Sequence, residues 1–287
     1  MNSTEVLFPQ GTLTATARVD RLEPAGDGRT LLVVDRTPFH PLDHTWPDQP
    51  ADTGTVTLAG RAYDVVDVVT GAAGPDGDDG LHLGRDIPVR RGTPGWTFVA
   101  VHVLATPDGA PAAAPGDEAV LAADPELRAD LSRGHTGCHL MSLALNKCLA
   151  GLWSKTPRTD PLGNPDFDQA AITESRIVRR GSVDRYRLGK SLRKSGFDSQ
   201  ALTDRLPELE AAVTAQVTAW VEAAAPAGIH CEGPHLDGRR WWTCALPDGE
   251  ARMPCGGTHL TNTSELGKPE IRFESAPGEL VITTGWA

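Results

Sequence analysis

The residues best suited to chemistry in this sequence form two pairs with one shared offset. His135 and His139 lie in Gly134-His135-Thr136-Gly137-Cys138-His139, and Cys255 and His259 lie far downstream in Cys255-Gly256-Gly257-Thr258-His259. At about 3.6 residues per helical turn, positions i and i+4 share one face, so both imidazoles of the first pair can reach one cation. Three imidazoles and a thiolate form a borderline-soft donor set that suits Zn2+ better than magnesium or calcium. Gly256 and Gly257 carry no side chain that would keep a ligand or substrate from the backbone beside the metal. Each pair alone also fits a plainer description: two hydrogen-bonded histidines on a helix face, or a thiol that, like Cys138, acts as a small apolar residue. Two such pairs in one chain argue for a shared site.

These residues need elements to position them. Asp124-Pro125-Glu126 supplies an N-cap, a proline at the first helical position and an acidic first turn, which predicts a helix starting there. Gly134 is expected to interrupt it, with a second helix running from about His135 to Trp153. Leu206, Leu209, Val213, Val217, Trp220 and Val221 recur at helical spacing between Pro207 and Pro226, which predicts another. The chain before residue 105 has a different period. Thr12 to Leu22, Thr30 to Phe39, Thr55 to Val69, Leu81 to Gly84 and Thr97 to Leu104 alternate as half-buried strands do, with a turn at Ala25 to Gly28. Several strands with almost no helical periodicity predict a small antiparallel β-barrel. Gly71 to Gly80 and Ala105 to Asp117 are expected to be loops, the second being the linker between a barrel domain at 1–110 and a second domain at 111–287. Strands return at Arg239 to Leu246, Glu270 to Ser275 and Glu279 to Thr284. The fold class is therefore α+β, a barrel followed by an α+β domain that carries the metal residues.

Composition narrows the function classes. The net charge of -11, from 27 basic and 38 acidic residues, argues against indiscriminate coating of nucleic acid or anionic membrane. No apolar run approaches the ~20 residues of a membrane helix, and Met1 to Gln10 has no basic residue ahead of an apolar core, so neither a membrane span nor a secretory signal is expected. The five cysteines, Cys138, Cys148, Cys231, Cys244 and Cys255, include no CxxC pair. They suit cytoplasmic thiols or metal ligands better than a disulfide framework.

The two metal motifs resemble the HxxxH and CxxxH zinc motifs of the alanyl-tRNA synthetase editing domain and its freestanding AlaX relatives. The resemblance extends to Val34-Asp35-Arg36-Thr37-Pro38-Phe39-His40-Pro41 and Gln49-Pro50-Ala51-Asp52-Thr53-Gly54, which are similar to that family's DRTxFYP and GGGQPxDxG stretches. Gly116 to Val120 is similar to a stretch before the family's first helix, and Thr261 to Gly267 to its NTGEIG. The motifs occur in the family's order over most of the chain. The resemblance implies a trans-editing aminoacyl-tRNA deacylase that hydrolyses the ester between a wrong amino acid and the tRNA 3' adenosine. Zinc polarises such a carbonyl or lowers the pKa of a bound water toward ~7, and no catalytic residue is implied beyond that water. Four protein donors usually mark a closed structural site, so either the ion accepts a fifth ligand or one donor is weak.

One segment departs from the family. Leu42 to Pro50 replaces its glycine-rich loop with a longer stretch containing Trp46. By the resemblance, Thr37, Gln49, Gly256 and Thr258 are the substrate-binding candidates, and the altered loop puts the usual serine or glycine specificity in doubt. It suits a threonine-like residue or an analogue such as fluorothreonine, or it simply rigidifies a surface turn.

Between the two metal motifs, Arg176, Arg179, Arg180, Arg185, Arg187, Lys190, Arg193 and Lys194 stand against the single acid Asp184. This is the charge expected of a phosphate-contacting surface, here for the acceptor end of an aminoacylated tRNA, or of a solvated face that balances surplus carboxylates. No stable protein partner is implied. Two other functions fit the same residues: a zinc-stabilised tRNA-binding module without catalysis, and a metal-dependent hydrolase of a small ester or amide.

Overall fold

Alternation of side chains along paired strands builds the first core. In the computed structural model, which describes residues 2–75 and 80–287, the first of two units comprises Met1–Arg128, Cys231–Arg240 and Gly256–Thr258. It contains β1 (Glu5–Val6), β2 (Thr14–Gly26), β3 (Arg29–Val34), β4 (Arg36–Thr37), β5 (Gly54–Leu58), β6 (Arg61–Ala73), β7 (Leu81–Leu83), β8 (Thr97–Ala105) and β9 (Glu118–Ala123). Seven of these form one antiparallel sheet in the order β5-β9-β2-β3-β8-β6-β7, and β5 also pairs with β6. Along β2, Ala17 and Val19 are buried while Thr16 and Arg18 are exposed. They meet Leu32, Val34, Val56, Leu58, Leu104 and Leu121 in one cluster.

The expected strands form, with four differences. Thr30 to Phe39 divides into β3 and β4, which flank Asp35 and end at Thr37. Thr55 to Val69 is a hairpin, because Ala59 and Gly60 turn the chain with positive φ angles of 48° and 78°. Gly71–Ala73 continue β6, and residues 76–79 of the expected Gly71 to Gly80 loop lie outside the described residues. The expected linker joins β8 to β9, two strands of the same sheet. β9 pairs with both β2 and β5, satisfying backbone groups that would otherwise be open edges. The expected boundary near residue 110 therefore falls inside the first unit, which runs to Arg128.

The metal-bearing helix is continuous, α1 (Pro125–Cys148), followed by a 3-10 turn at Ala150–Leu152. Asp124 caps it as expected, its Oδ1 accepting the N–H groups of Glu126 and Leu127 at 2.9 and 3.1 Å. Gly134 does not interrupt it, contrary to expectation. A Cβ there would lie 2.4 Å from the Gly181 carbonyl oxygen and 2.7 Å from that of Val178, so this glycine permits close packing of helix on hairpin.

The second unit, Ala129–His230 with Trp241–Cys255 and His259–Ala287, is mixed α+β. After α1 come α2 (Phe167–Ala171), β10 (Ile172–Val178), β11 (Gly181–Arg187), α3 (Lys190–Lys194), α4 (Ser199–Asp204), α5 (Leu206–Glu222), β12 (Ala227–Cys231), β13 (Arg240–Leu246), β14 (Gly249–Pro254), β15 (Pro269–Ala276) and β16 (Glu279–Trp286). An antiparallel sheet runs β10-β11-β16-β15, and a separate one β12-β13-β14. α5 forms as expected and buries Leu209, Val213, Val217 and Trp220. These join Leu140, Ala144, Phe273, Ile282 and Trp286 in the largest apolar cluster. Among the described residues, no helix is long and apolar enough to cross a membrane.

Candidate metal centre

Helical spacing on α1 and a turn after β14 bring the four expected donors together. One donor atom from each of His135, His139, Cys255 and His259 lies within 4.8 Å of all the others. Cys255 Sγ is 3.5 Å from His135 Nε2, 3.4 Å from His139 Nε2 and 3.1 Å from His259 Nε2. Zinc bonds of about 2.0–2.1 Å to nitrogen and about 2.3 Å to sulfur, set at tetrahedral angles, place donor atoms roughly 3.3–3.6 Å apart. The three Cys255 distances lie close to that range and the donor chemistry suits it, so these residues could hold a metal ion and are compatible with zinc.

The surroundings orient the donors. His135 and His139 stack with ring centroids 4.9 Å apart, and Trp242 stacks on His139 at 4.9 Å with 17° between the planes. Burial lowers the His139 pKa to about 4, which keeps the ring neutral with a lone pair free for a metal. Thr136, fully buried between the two helix histidines, places Oγ1 3.2 Å from His259 Nδ1 and accepts the Leu260 N–H at 3.0 Å. A neutral His259 that ligates through Nε2 carries its proton on Nδ1 and donates it to this hydroxyl. Such a partner fixes tautomer and ring orientation. Neither Thr136 nor Trp242 was expected from the sequence. Thr136 is adjacent to His135 in the chain, but a threonine in a helix carries no signal of its own, and Trp242 reaches His139 only through the fold.

The expected substrate residues in the first unit have hydrogen bonds of their own. Thr37 is fully buried; its hydroxyl is 2.8 Å from His102 Nε2 and accepts the Phe39 N–H at 3.1 Å. Burial pushes His102 down to about 4, against the opposing effect of the Leu32 carbonyl. The neutral ring then donates from Nδ1 to Leu32 at 3.2 Å and accepts the Thr37 proton at Nε2. Gln49, also buried, donates from Nε2 to Thr258 Oγ1 and accepts the Thr258 N–H at Oε1, both at 2.9 Å. Thr37 and Gln49 thus act as internal ties: Gln49 holds the residue that precedes His259 in the chain. Gly256 has room around it, since a Cβ there would meet only Arg240 Nη2 at 3.8 Å and Asp43 Oδ2 at 3.9 Å.

The Leu42 to Pro50 segment is built around Asp43. Its Oδ1 accepts the Thr45 N–H, the Thr45 hydroxyl and the Trp46 N–H, and its Oδ2 accepts from Arg91 at 2.9 Å. Burial works against ionisation, but Arg91 and the Thr45 and Trp46 donors outweigh it and hold the carboxyl at about 2. Trp46 stays 47% exposed.

The basic segment is spread over two strands, the turn between them and a short helix. Arg176 lies on β10, Arg185 and Arg187 on β11, Arg179 and Arg180 in the turn between them, and Lys190, Arg193 and Lys194 on α3. Arg180 and Arg187 are seven strand residues apart, on the order of 20 Å. Acids from neighbouring positions neutralise part of the set: Arg176 pairs with Glu174 at 3.1 Å, Arg179 with Asp130 at 3.0 Å, and Arg185 with Glu174 and Glu279 at 3.4 and 3.5 Å. Arg187, Lys190, Arg193 and Lys194 are exposed.

No family model matches the chain. The sequence is similar to the alanine–tRNA ligase of Pyrobaculum neutrophilum, 27% identical over 268 residues that cover 90% of this chain and 24% of that protein. It is similar to the alanine–tRNA ligase of Akkermansia muciniphila at 24% over 278 residues, covering 89% of this chain and 23% of that protein. For the alanine–tRNA ligase of Mycobacterium avium the figures are 24% over 267 residues, 91% and 25%. The chain spans about a quarter of the length of these relatives, and the similarity extends along nearly all of it.

Proposed function

We propose that the protein is a zinc-dependent hydrolase that removes the amino acid from a mischarged aminoacyl-tRNA, acting in trans in the cytoplasm. The observation that carries this reading is the convergence of His135, His139, Cys255 and His259, two pairs remote in sequence, on one cluster whose donor atoms lie within 4.8 Å of one another. The association with tRNA is supported by the similarity to alanine–tRNA ligases over nine-tenths of the chain and by motifs that resemble those of an editing domain. The reading of the first unit as a small barrel is supported by β5 pairing with both β9 and β6.

A zinc ion held by the four residues supplies Lewis-acid chemistry to an ester that is already activated. The chain keeps His139 neutral by burial, holds His259 in one tautomer through Thr136, and shields one face of His139 with Trp242. The Asp43-centred loop, in place of a glycine-rich one, supports selection of an amino acid different from the family's usual serine or glycine. A threonine-like residue or an analogue such as fluorothreonine is the candidate.

A second reading, a zinc-stabilised tRNA-binding module, is favoured by one observation: four protein donors form a closed set. Purified zinc-loaded protein tested for amino-acid release from seryl-, glycyl-, alanyl-, threonyl- and fluorothreonyl-tRNA separates the two. The deacylase reading expects release from a subset, abolished in Cys255→Ala and His259→Ala. Binding of tRNA with no release would establish the second reading, and undiminished turnover by metal-free variants would refute the first.

A further inference from the structure

In the first unit, the space beside Gly256 is bounded by two side chains of opposite charge. A Cβ built on Gly256 would meet Arg240 Nη2 at 3.8 Å and Asp43 Oδ2 at 3.9 Å, with nothing else within 4 Å. Gly256 is the residue after the donor Cys255 in the chain. The two oxygens of Asp43 are used unequally. Oδ1 accepts three donors, the Thr45 N–H, the Thr45 hydroxyl and the Trp46 N–H, whereas Oδ2, the oxygen that faces Gly256, accepts from Arg91 alone among the described residues. A carboxylate oxygen has two lone pairs, so Oδ2 keeps one acceptor direction in reserve. The Asp43 side chain is 25% exposed, so the carboxylate is open to solvent. On the other side of the space, Arg240 is buried and donates to the Leu236 carbonyl at 3.4 Å, which holds its guanidinium in place.

We propose that Asp43 Oδ2 receives the α-ammonium group of an aminoacyl ester lying over Gly256, and that the substrate is thereby restricted to aminoacyl-tRNA with an unblocked amine. The ligand class follows from charge: an aminoacyl end carries one full positive charge, on its amine, and Oδ2 offers an accessible anionic acceptor. Arg240 repels an ammonium placed on its side of the space, so one orientation of the ester is favoured. Formylated, acetylated and peptidyl esters lack the charge and leave the carboxylate facing no donor, which selects against them. The inference rests on the aminoacyl-ester reading above and extends it from the side chain of the amino acid to its amine.

The test is calorimetric titration of the full zinc-loaded protein with two non-hydrolysable analogues of a charged tRNA end. One is threonine joined through an amide to 3'-amino-3'-deoxyadenosine, and the other is its deaminated counterpart, which carries a 3-hydroxybutyryl group. The wild type is expected to bind the first about tenfold or more tightly, the effect of one hydrogen bond between charged groups. Asp43→Asn keeps the shape of the side chain and is expected to weaken the first analogue about tenfold while leaving the second within about twofold. Two ligands measured against two proteins isolate the pairwise interaction from any change in the loop. Gly256 has no positive φ, so alanine fits its backbone, and Gly256→Ala is expected to weaken both analogues by filling the space with a methyl group. Equal affinity of the wild type for the two analogues, equal weakening of both in Asp43→Asn, full affinity in Gly256→Ala, or no binding of either analogue overturns the proposal. If the wild type hydrolyses aminoacyl-tRNA and Asp43 shows no coupling to the ammonium, the Asp43 assignment falls and the deacylase reading stands. If the coupling is present and no aminoacyl-tRNA is hydrolysed, the deacylase reading falls and the ammonium site stands as part of a binding module.

Discussion

Replacing Thr136 with valine keeps the side chain's shape and removes the hydroxyl that links two parts of the metal centre. Two effects follow, and they are separable. The Leu260 N–H loses its acceptor at 3.0 Å inside a site where Thr136 has no solvent exposure. An unpaired buried donor costs about 1–3 kcal/mol, and this loss falls on the stability of the metal-free protein. His259 Nδ1 loses its partner at 3.2 Å, so the ring is free to rotate or change tautomer. Loss of such a partner typically weakens metal binding by ~10–100-fold, roughly 1.4–2.7 kcal/mol. Competition titration of zinc against a chromophoric chelator measures the second effect, and urea unfolding of the metal-free protein measures the first. Thr136→Ser retains the hydroxyl and is expected to stay close to wild type in both. Equal zinc affinity in Thr136→Val and Thr136→Ser would refute the orienting role and leave Thr136 as a backbone tie alone.

Gly134→Ala gains about 1 kcal/mol of helix propensity. Its Cβ would nevertheless stand 2.4 Å from the Gly181 carbonyl oxygen, and overpacking of about 1–3 kcal/mol is expected to lower the melting temperature; a stabilised variant would disprove the close approach. Asp168 is pushed up to about 7 by burial, against the Tyr186 hydroxyl that donates to it at 2.9 Å. Its native pKa lies above the unfolded value of about 4, so its contribution to stability is fully present below pH ~4 and lost as pH rises through ~7. His40 and His102, both lowered to about 4 mainly by burial, act in the opposite direction as pH falls below ~6.5. The difference between wild type and Asp168→Asn in denaturant unfolding isolates the Asp168 term, and an identical pH slope in both would contradict it. Charge reversal at Lys190 and Lys194 is expected to lower the salt slope of tRNA affinity by about 0.7–0.9 for each phosphate that is no longer neutralised. Arg176→Ala, whose guanidinium already faces Glu174 at 3.1 Å, is expected to leave that slope near wild type in a filter-binding titration.

The metal motifs were legible because the chemistry of a zinc site restricts residue type and because helical spacing is regular. The N-cap Asp124, the apolar period of α5 and the alternation in β2 and β5 were legible for the same reason: each depends on neighbours within one or two turns or on a single strand face. Residues in β10 and β11 were harder to place as strands. β11 buries Ser182, Asp184 and Tyr186 on its inner face, and the Asp184 carboxylate accepts the hydroxyls of Ser175 and Ser182, each at 2.6 Å. A strand whose inner face is polar has no hydrophobic alternation to detect. Gly134 shows the same limit, because its role depends on a hairpin more than forty residues away in the chain.

Sequence alone determined which residues can bind a metal, where α1 begins and which segments alternate as strands, because these follow from donor chemistry and short-range periodicity. Tertiary structure decided that β9 closes onto β2 and β5, that Thr136 and Trp242 support the metal ligands, that Thr37 and Gln49 are engaged by His102 and Thr258, and that basic residues adjacent in sequence differ in charge pairing. Each of these depends on segments distant in the chain, and a hydrogen bond or ion pair exists only once folding has brought its two partners within about 3–4 Å.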